Sequence, residues 1–417
     1  MKTDAVASRF PRVAVVGAGV VGTVAALALA RRGCAVTLIE RAPPPAAPAA
    51  VKDDRSVADW PIRHVALGAD SVALLSSLGV EQFVHGRFDR ISVWEALGTA
   101  SLEFTAAEAG LECLGWMAEL PSLTAVLWQA AQAESRIDVR AGVVLRHLHA
   151  PDARGTVRRP VQLELATATT VDAPSAAPSV LDVDFVLAAD GARSWVREQL
   201  AVPTRAADTG HYALATVAQM ARPHDRVARQ IFLPGGPLAL LPTQHPCGVS
   251  VVWSQSQADA KRRSALEPAD LGRELEAASG SVLGQVLATG ESGCFPIQQQ
   301  LAETFLPHPR VALVGDAART VHPLAGLGVN LGIDDVQTLL AALAGLLPPP
   351  LALRRWSRRR WARSQIVQRL LSTLQTTYGA QGPRITLLRN AGVRTVAASG
   401  LLRQLFIHEA LGADRAR

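Results

Sequence analysis

Two kinds of apolar patterning divide the chain. Unbroken β-branched and aliphatic runs, expected of strands buried on both faces, occur at Arg12–Val16, Phe185–Gly191 and Arg310–Val314. A further strand is predicted at Ala35–Glu40, and an Ala/Leu-rich stretch to about Arg32 joins it to the first as a helix. From Tyr212 to Trp253 the pattern changes to short alternating runs between Gly and Pro turns. This predicts an antiparallel sheet, with Ile91–Phe104 crossing into it. Helical spacing marks Ala69–Leu78, Pro121–Glu134, most of Leu266–Leu287 and Val329–Leu346, and Pro121 suits a first helical turn. Val171–Ser179 reads as the tip of a β-meander leading into Phe185, and Ala42–Ala50 as a Pro/Ala connector. Trp356–Tyr378 is predicted to be an amphipathic helix with Ile366, Val367, Leu370, Leu371, Leu374 and Tyr378 on one face.

The first strand runs into Gly17, Gly19 and Gly22 at G-x-G-x-x-G spacing, with Ala18 and Val20 completing the loop. Gly17 permits the tight turn, Gly19 lets a pyrophosphate approach the backbone, and Gly22 lets helix pack closely on strand. The helix start offers unpaired N–H groups and a positive dipole end. Glu40, followed by Arg41, closes the second strand about 20 residues on, where a ribose hydroxyl would be held. The glycines alone equally describe a plain βαβ turn. Strand, glycines, helix, strand and terminal acid in that order point to a dinucleotide.

A second segment, Val311–Asn330 (VALVGDAARTVHPLAGLGVN), narrows the choice. Asp316 at a strand end, beside a helix expected to start near Gly328, suits a ribityl hydroxyl of FAD. The loop His322–Gly328 would aim that helix at the pyrimidine edge of the flavin, where its dipole stabilises the charge of the reduced ring. Asp190-Gly191 is by itself an ordinary turn, but it is followed by Ala192-Arg193-Ser194 and falls between the two motifs.

Together these three segments resemble the class A FAD-dependent aromatic monooxygenases. Ile91–Phe104 (ISVWEALGTASLEF), Phe232–Pro242 (FLPGGPLALLP), Val249–Ser254 (VSVVWS) and the Arg-rich Leu353–Ser364 resemble their ubiquinone-biosynthesis hydroxylase branch. The resemblance covers nearly the whole chain and implies an α/β fold. Its parts would be a Rossmann-like, three-layer ββα FAD-binding domain (1–88, 111–208 and 300–346), an interleaved antiparallel-sheet substrate domain (89–110 and 209–299) and a C-terminal helical region (347–417). It also implies roles: pyrophosphate at Gly17, Gly19 and Gly22, adenosine ribose at Glu40, and FAD phosphate or flavin at Arg63. Asp190 and Gly191 would serve FAD and a nicotinamide donor, and Asp316 the ribityl chain. Pro323, Gly328 and Asn330 would line the isoalloxazine, with Gly326 and Val329 beside them. Four positions depart from the pattern. Arg319 stands where the family has His, Leu327 where it has Gln, Asp334 where it has Arg, and Leu120-Pro121 where it has Asn-Arg; the last removes a side-chain contact to FAD.

The cofactor of such an enzyme performs the difficult step. The resemblance implies reduced flavin reacting with O2 to a C4a-hydroperoxide that hydroxylates an activated phenol ring, with NAD(P)H or another reductant as electron donor. The protein must then exclude water and bring the ring carbon close. Leu240, Pro242, Val251, Trp253, Pro296 and Pro323 are expected around that apolar pocket, although the sheet residues among them read equally well as core. His322, beside the expected flavin face, would help deprotonate the phenol or shape its loop. The implied substrate is a lipophilic, prenylated phenol of ubiquinone biosynthesis. Another phenolic or polyketide substrate, or a non-catalytic FAD-fold subunit of a quinone-synthesis complex, are the alternatives that the departures leave open.

At 417 residues the chain suits two interleaved domains plus a tail. Net charge is +6, but residues 351–417 hold thirteen Arg against Glu409 and Asp414, a local +11, leaving −5 for the rest. Arg354, Arg355, Arg358, Arg359, Arg360 and Arg363 therefore have two readings. One is a face toward anionic lipid or an acidic partner, as in association with the membrane periphery or a quinone-synthesis complex; the other is a solvated face in an Arg-biased chain. Aromatic interleaving and a recognition fold for nucleic acid are missing. Met1–Arg12 is polar, and no uncharged apolar run reaches roughly 18 residues, so the expected location is the cytoplasm or the periphery of the inner membrane. Cys34, Cys113, Cys247 and Cys294 stand apart, without metal-ligand spacing, as small core residues of a reducing compartment. No metal is expected.

Overall fold

The computed structural model describes residues 10–46, 55–96, 98, 101–151, 160–168, 179–321 and 327–379. In chain order the first half holds β1 (Arg12–Val16), α1 (Val20–Ala30), β2 (Ala35–Glu40), β3 (His64–Gly68), α2 (Ala69–Ser77), β4 (His85–Phe88), β5 (Arg90–Glu95) and β6 (Ser101–Thr105). Then come α3 (Ala106–Ala109), β7 (Gly115–Glu119), α4 (Leu120–Ala133), β8 (Ile137–Ala141), β9 (Val143–His149), β10 (Val161–Thr167), β11 (Ser179–Val183), β12 (Phe185–Ala188) and α5 (Trp195–Gln199). The second half adds β13 (Thr204–Met220), β14 (Val227–Leu233), β15 (Gly236–Pro242), β16 (Gly248–Ser256), α6 (Gln257–Ser264) and α7 (Pro268–Ser279). It closes with β17 (Val286–Ala302), β18 (Val311–Leu313), β19 (Arg319–Thr320), α8 (Leu327–Ala344) and α9 (Pro349–Gly379).

The unbroken apolar runs assemble side by side. A parallel sheet of order β18-β12-β1-β2-β8 pairs Val13 with both Phe185 and Val36, and Val186 with Val311. These strands need apolar side chains in every position because both faces are covered. The helices, α1 and α8 among them, contribute one layer, and Leu145, Leu163 and Leu165 of the β9-β10-β11 meander are buried in the same core. This is a three-layer ββα arrangement.

The alternating region forms an eight-stranded sheet of order β19-β17-β13-β16-β15-β14-β5-β6. β5 enters it parallel to β14, pairing Ile91 with Ala228, so the chain crosses between domains there. β13 and β17 are long enough to run through the positions 208/209 and 299/300, where separate domains were expected to meet. The two halves therefore share strands.

The C-terminal helix differs from its expected orientation. It is one continuous 31-residue element beginning at Pro349, where a proline is tolerated because the first N–H groups have no helical partner. Ala352, Leu353, Trp356 and Val367 are buried, whereas Ile366 is 63% exposed and Leu370 lies on the surface. Of Ile366, Val367 and Leu370 on the expected face, Val367 alone turns inward, and it continues a stripe that runs through Leu353, Trp356 and the arginine Arg360. Leu371, Leu374 and Tyr378 have side chains outside the described residues.

Candidate active site

The glycine loop is set by steric necessity. Gly17 has φ +94°, and a Cβ there would stand 2.5 Å from the Ala189 carbonyl oxygen; a Cβ on Gly22 would stand 1.8 Å from that of Gly17. Gly19 is different: a Cβ on it would meet nothing within 4 Å. That open side lies at the N-cap of α1, which has no side-chain cap and no acid in its first turn. The loop is held from behind, where Trp128 Nε1 and Thr23 Oγ1 both donate to the Ala18 carbonyl at 3.0 and 3.1 Å. Val20 is buried in the same core. Glu40 is drawn toward the loop, accepting from Ala18 N at 2.7 Å and Ala42 N at 2.9 Å, while Arg41 is exposed. A bare phosphate-accepting helix end with a carboxylate beside it fits the pyrophosphate–ribose part of FAD.

The second motif packs directly on the first. A Cβ on Gly315 would lie 3.3 Å from Val21, and one on Gly332 2.5 Å from the same side chain, so α1, the Gly315–Ala317 turn and α8 meet in close contact. Asp316 is exposed by area but sits in a concavity near the start of α8, with Oδ1 4.0 Å from where a Gly328 Cβ would stand. Desolvation there raises its carboxyl pKa, and the charges of Arg319 and Arg63 oppose the rise. Arg63 is itself exposed, and the corner at Leu120-Pro121 still anchors its backbone, since Leu120 N donates to the Arg63 carbonyl at 3.0 Å. Carboxylate, arginine and helix start converge where the ribityl chain and flavin would need them. The donor set fits FAD.

Other expected residues have different duties. Asn330 does not turn to a flavin face: its Oδ1 accepts from Gly68 N (2.9 Å) and Ser71 Oγ (2.8 Å), and its Nδ2 donates to the Ala66 carbonyl (2.9 Å). It ties α8 to β3, because a buried amide must satisfy both its ends. Val329 packs against the core of the parallel sheet. Asp190 accepts from Val196 N at 3.1 Å, at the start of α5. Its Oδ1 is buried without a hydrogen-bond partner, and desolvation raises its pKa against the hydrogen bond of Ser194. Gly191, with φ +81°, makes the turn. His322, Pro323 and Gly326 lie outside the described residues.

Three of the residues expected around the pocket lie in the core instead. Leu240, Val251 and Trp253 are buried with Leu271 and Leu275 of α7, in the core on the far side of the sheet. Arg263 covers Trp253 at 4.1 Å, Pro242 is buried at the strand end, and Pro296 is exposed on β17. Side chains alternate across a strand, so a one-residue offset exchanges the faces. The opposite face carries Ala213, Ala215, Ala239, Leu241, Ser250 and Val252, and Val217 on that same face packs with Val57 and Trp60. Most side chains on that face are small.

Two features were not expected. A cavity of about 350 Å³ opens where the β15–β16 turn meets β3 and β7, lined by Arg55, Trp60, His64, Glu119, Thr243 and His245, among others. Arg55 and Glu119 form a two-pronged ion pair inside it, at 2.6 and 3.1 Å, while burial and then the Arg55 charge lower the His64 pKa to about 4. The second feature is a buried cluster of Arg319, Asp334, Asp335 and Arg360 behind Asp316. Its signals in the sequence were the adjacent acids of α8 and the departures at Arg319 and Asp334. Among the described residues no group of His, Cys, Asp or Glu is arranged to hold a metal, and no helix is long and apolar enough to cross a membrane.

Known proteins with this arrangement agree on its class. Residues 11–369 match the family described as FAD binding domain. The chain is 33% identical over 410 residues to 3-demethoxyubiquinol 3-hydroxylase of Escherichia coli, covering 96% of this chain and 98% of that protein. It is 30% identical over 416 residues to ubiquinone hydroxylase UbiL of Rhodospirillum rubrum, covering 97% and 90%. The crystal structure of p-nitrophenol 4-monooxygenase PnpA from Pseudomonas putida superposes with a TM-score of 0.72 at 18% identity, over 97% of this chain and 98% of that one. The glycine cradle, the Asp316 turn packed on it and the match along most of the chain carry one conclusion: the chain belongs to the FAD-binding monooxygenase family and is an FAD-dependent hydroxylase.

Proposed function

We propose that the chain hydroxylates an aromatic ring of a prenylated phenol in ubiquinone biosynthesis, using O2 and electrons from NAD(P)H. The observation that carries this reading is the 33% identity, end to end, with a hydroxylase of a ubiquinol precursor. Bound FAD supplies the oxygen-activating chemistry; the protein's part is to bind, orient and exclude water. Gly17, Gly19 and Gly22 with Glu40 would hold the adenosine diphosphate half. Asp316 and Arg63 would hold the ribityl and phosphate groups, and the start of α8 at Gly328 would face the pyrimidine edge. The small-residue face at Ala213, Ala215, Ala239 and Val252 supports an apolar seat for the ring. With few titrating groups there, proton movement at the phenol is left to residues near the flavin, with His322 as the candidate.

Exposed Arg354, Arg355, Arg358 and Arg359 on α9, next to exposed Leu351, favour delivery of a lipid-like substrate from an anionic surface at the membrane periphery. Arg360 and Arg363 take no part in that face, since both turn inward to Asp334.

The test is direct. Purified protein should carry flavin absorbance and, given NAD(P)H and air, convert a prenylated phenol to a product heavier by one oxygen atom. A strain lacking the gene should accumulate the unhydroxylated precursor. Turnover of soluble phenols with no conversion of prenylated ones would replace this substrate assignment with the polyketide or simple-phenol reading.

A further inference from the structure

α8 places Asp334 and Asp335 side by side, 6% and 0% exposed. Charged groups this deep persist only when each is paired and hydrogen-bonded. Asp335 Oδ1 accepts from Arg360 Nε at 2.6 Å; its Oδ2 accepts from Arg319 Nη1 at 2.7 Å and from Gly315 N at 3.0 Å. Asp334 Oδ2 accepts from Arg360 Nη1 at 2.5 Å, and Arg360 Nη2 donates to the Leu331 carbonyl at 3.2 Å. Arg363 adds a longer contact to Asp334 at 3.9 Å, whereas Nε and Nη2 of Arg319 are buried without a hydrogen-bond partner, so Asp335 is the acid that holds Arg319 and Arg360 together. Arg319 and Asp334, two separate departures from the family pattern, are thus parts of one arrangement whose third member is Arg360 on α9.

The cluster has a mechanical consequence. The Asp335 oxygen that meets Arg319 also holds Gly315 N, and Gly315 precedes Asp316 in a turn with φ +58° at the glycine. The orientation of Asp335 is held from its other side by α9. That helix grips the same strand end a second time, where Gln368 Nε2 donates to the Thr320 and Gln300 carbonyls at 3.1 and 2.9 Å.

We propose that Arg360 is a positioning residue for FAD: acting through Asp335, it fixes the Gly315-Asp316 turn, so that docking of α9 and binding of FAD are coupled. This rests on the reading that FAD binds at Asp316. Coupling is reciprocal, so FAD must tighten α9 by the same free energy with which docked α9 tightens FAD.

The experiment uses full-length apoprotein and FAD. Flavin fluorescence gives Kd, and hydrogen–deuterium exchange follows residues 349–379. In the wild type, FAD should slow exchange along α9. Arg360→Met should raise Kd about tenfold or more and abolish that slowing, and Arg360→Lys should recover part of both. Should Arg360→Met fail to fold by circular dichroism, Asp334→Asn, which leaves Asp335 intact, is expected to give an intermediate rise in Kd. Folded Arg360 variants with wild-type Kd, or wild-type α9 exchange indifferent to FAD, would overturn the coupling. A wild-type protein that does not take up FAD would instead sink the cofactor assignment beneath it.

Discussion

Gly19 and Gly22 share a motif but answer to different demands. Gly22 is required by the protein, because any side chain would drive into the Gly17 carbonyl, whereas Gly19 has open space and an extended conformation that alanine adopts freely. Gly22→Ala should therefore destabilise the fold by roughly 1–3 kcal/mol in urea unfolding. Gly19→Ala should leave stability within about 0.5 kcal/mol yet weaken FAD binding tenfold or more, since the lost space is where a phosphate approaches. Equal losses of stability in both variants would contradict this division. His64 sets a second expectation. Its folded-state pKa lies near 4, below the ordinary 6.5, so the unfolded chain takes up the proton first as pH falls. Its contribution is complete above about pH 6.5 and is lost progressively toward pH 4. Unfolding midpoints for His64→Gln should fall less steeply than wild type across that window.

Among elements, α8 matters more than its length suggests, because it joins three others. Asn330 reaches the backbone of β3 and the hydroxyl of Ser71, Gly332 presses on α1, and Asp335 holds the turn after β18. Replacing Asn330 with Leu would leave Gly68 N, the Ala66 carbonyl and Ser71 Oγ without this partner, at a cost of about 1–3 kcal/mol for the most buried of them. Chemical denaturation should report that loss, and flavin binding should weaken with it because Arg63 immediately precedes β3. The sheet shows why the sequence left the assignment of faces open. Strands such as Gly248–Ser256 are buried on nearly every residue, so their pattern marks a strand without saying which side faces the ligand. Only the position of α7 settles which face is core.

For the molecule as a whole, the proposed site joins segments almost three hundred residues apart, which would have to be in place before FAD binds. Binding should therefore stabilise the native state globally. FAD at about 100 times its Kd should add roughly 2.7 kcal/mol and raise the thermal midpoint in a concentration-dependent way, an effect that a tenfold weaker Gly19→Ala should cut to about 1.4 kcal/mol at the same FAD concentration. A thermal midpoint indifferent to FAD would mean that the cofactor does not bridge these segments.

What the sequence determined by itself was the part dictated by local sterics. A pyrophosphate turn admits only glycine at certain backbone angles, and a strand covered on both sides admits only apolar residues, so the FAD-binding frame was legible before any coordinates. Tertiary structure decided the rest. Arg319 and Arg360 lie sixteen and twenty-five residues from Asp335, and no local rule pairs them; burial made their pairing obligatory. The inward face of α9 and the ligand-facing side of the sheet were likewise settled by what packs against them, since periodicity records that a face is buried but not against which neighbour.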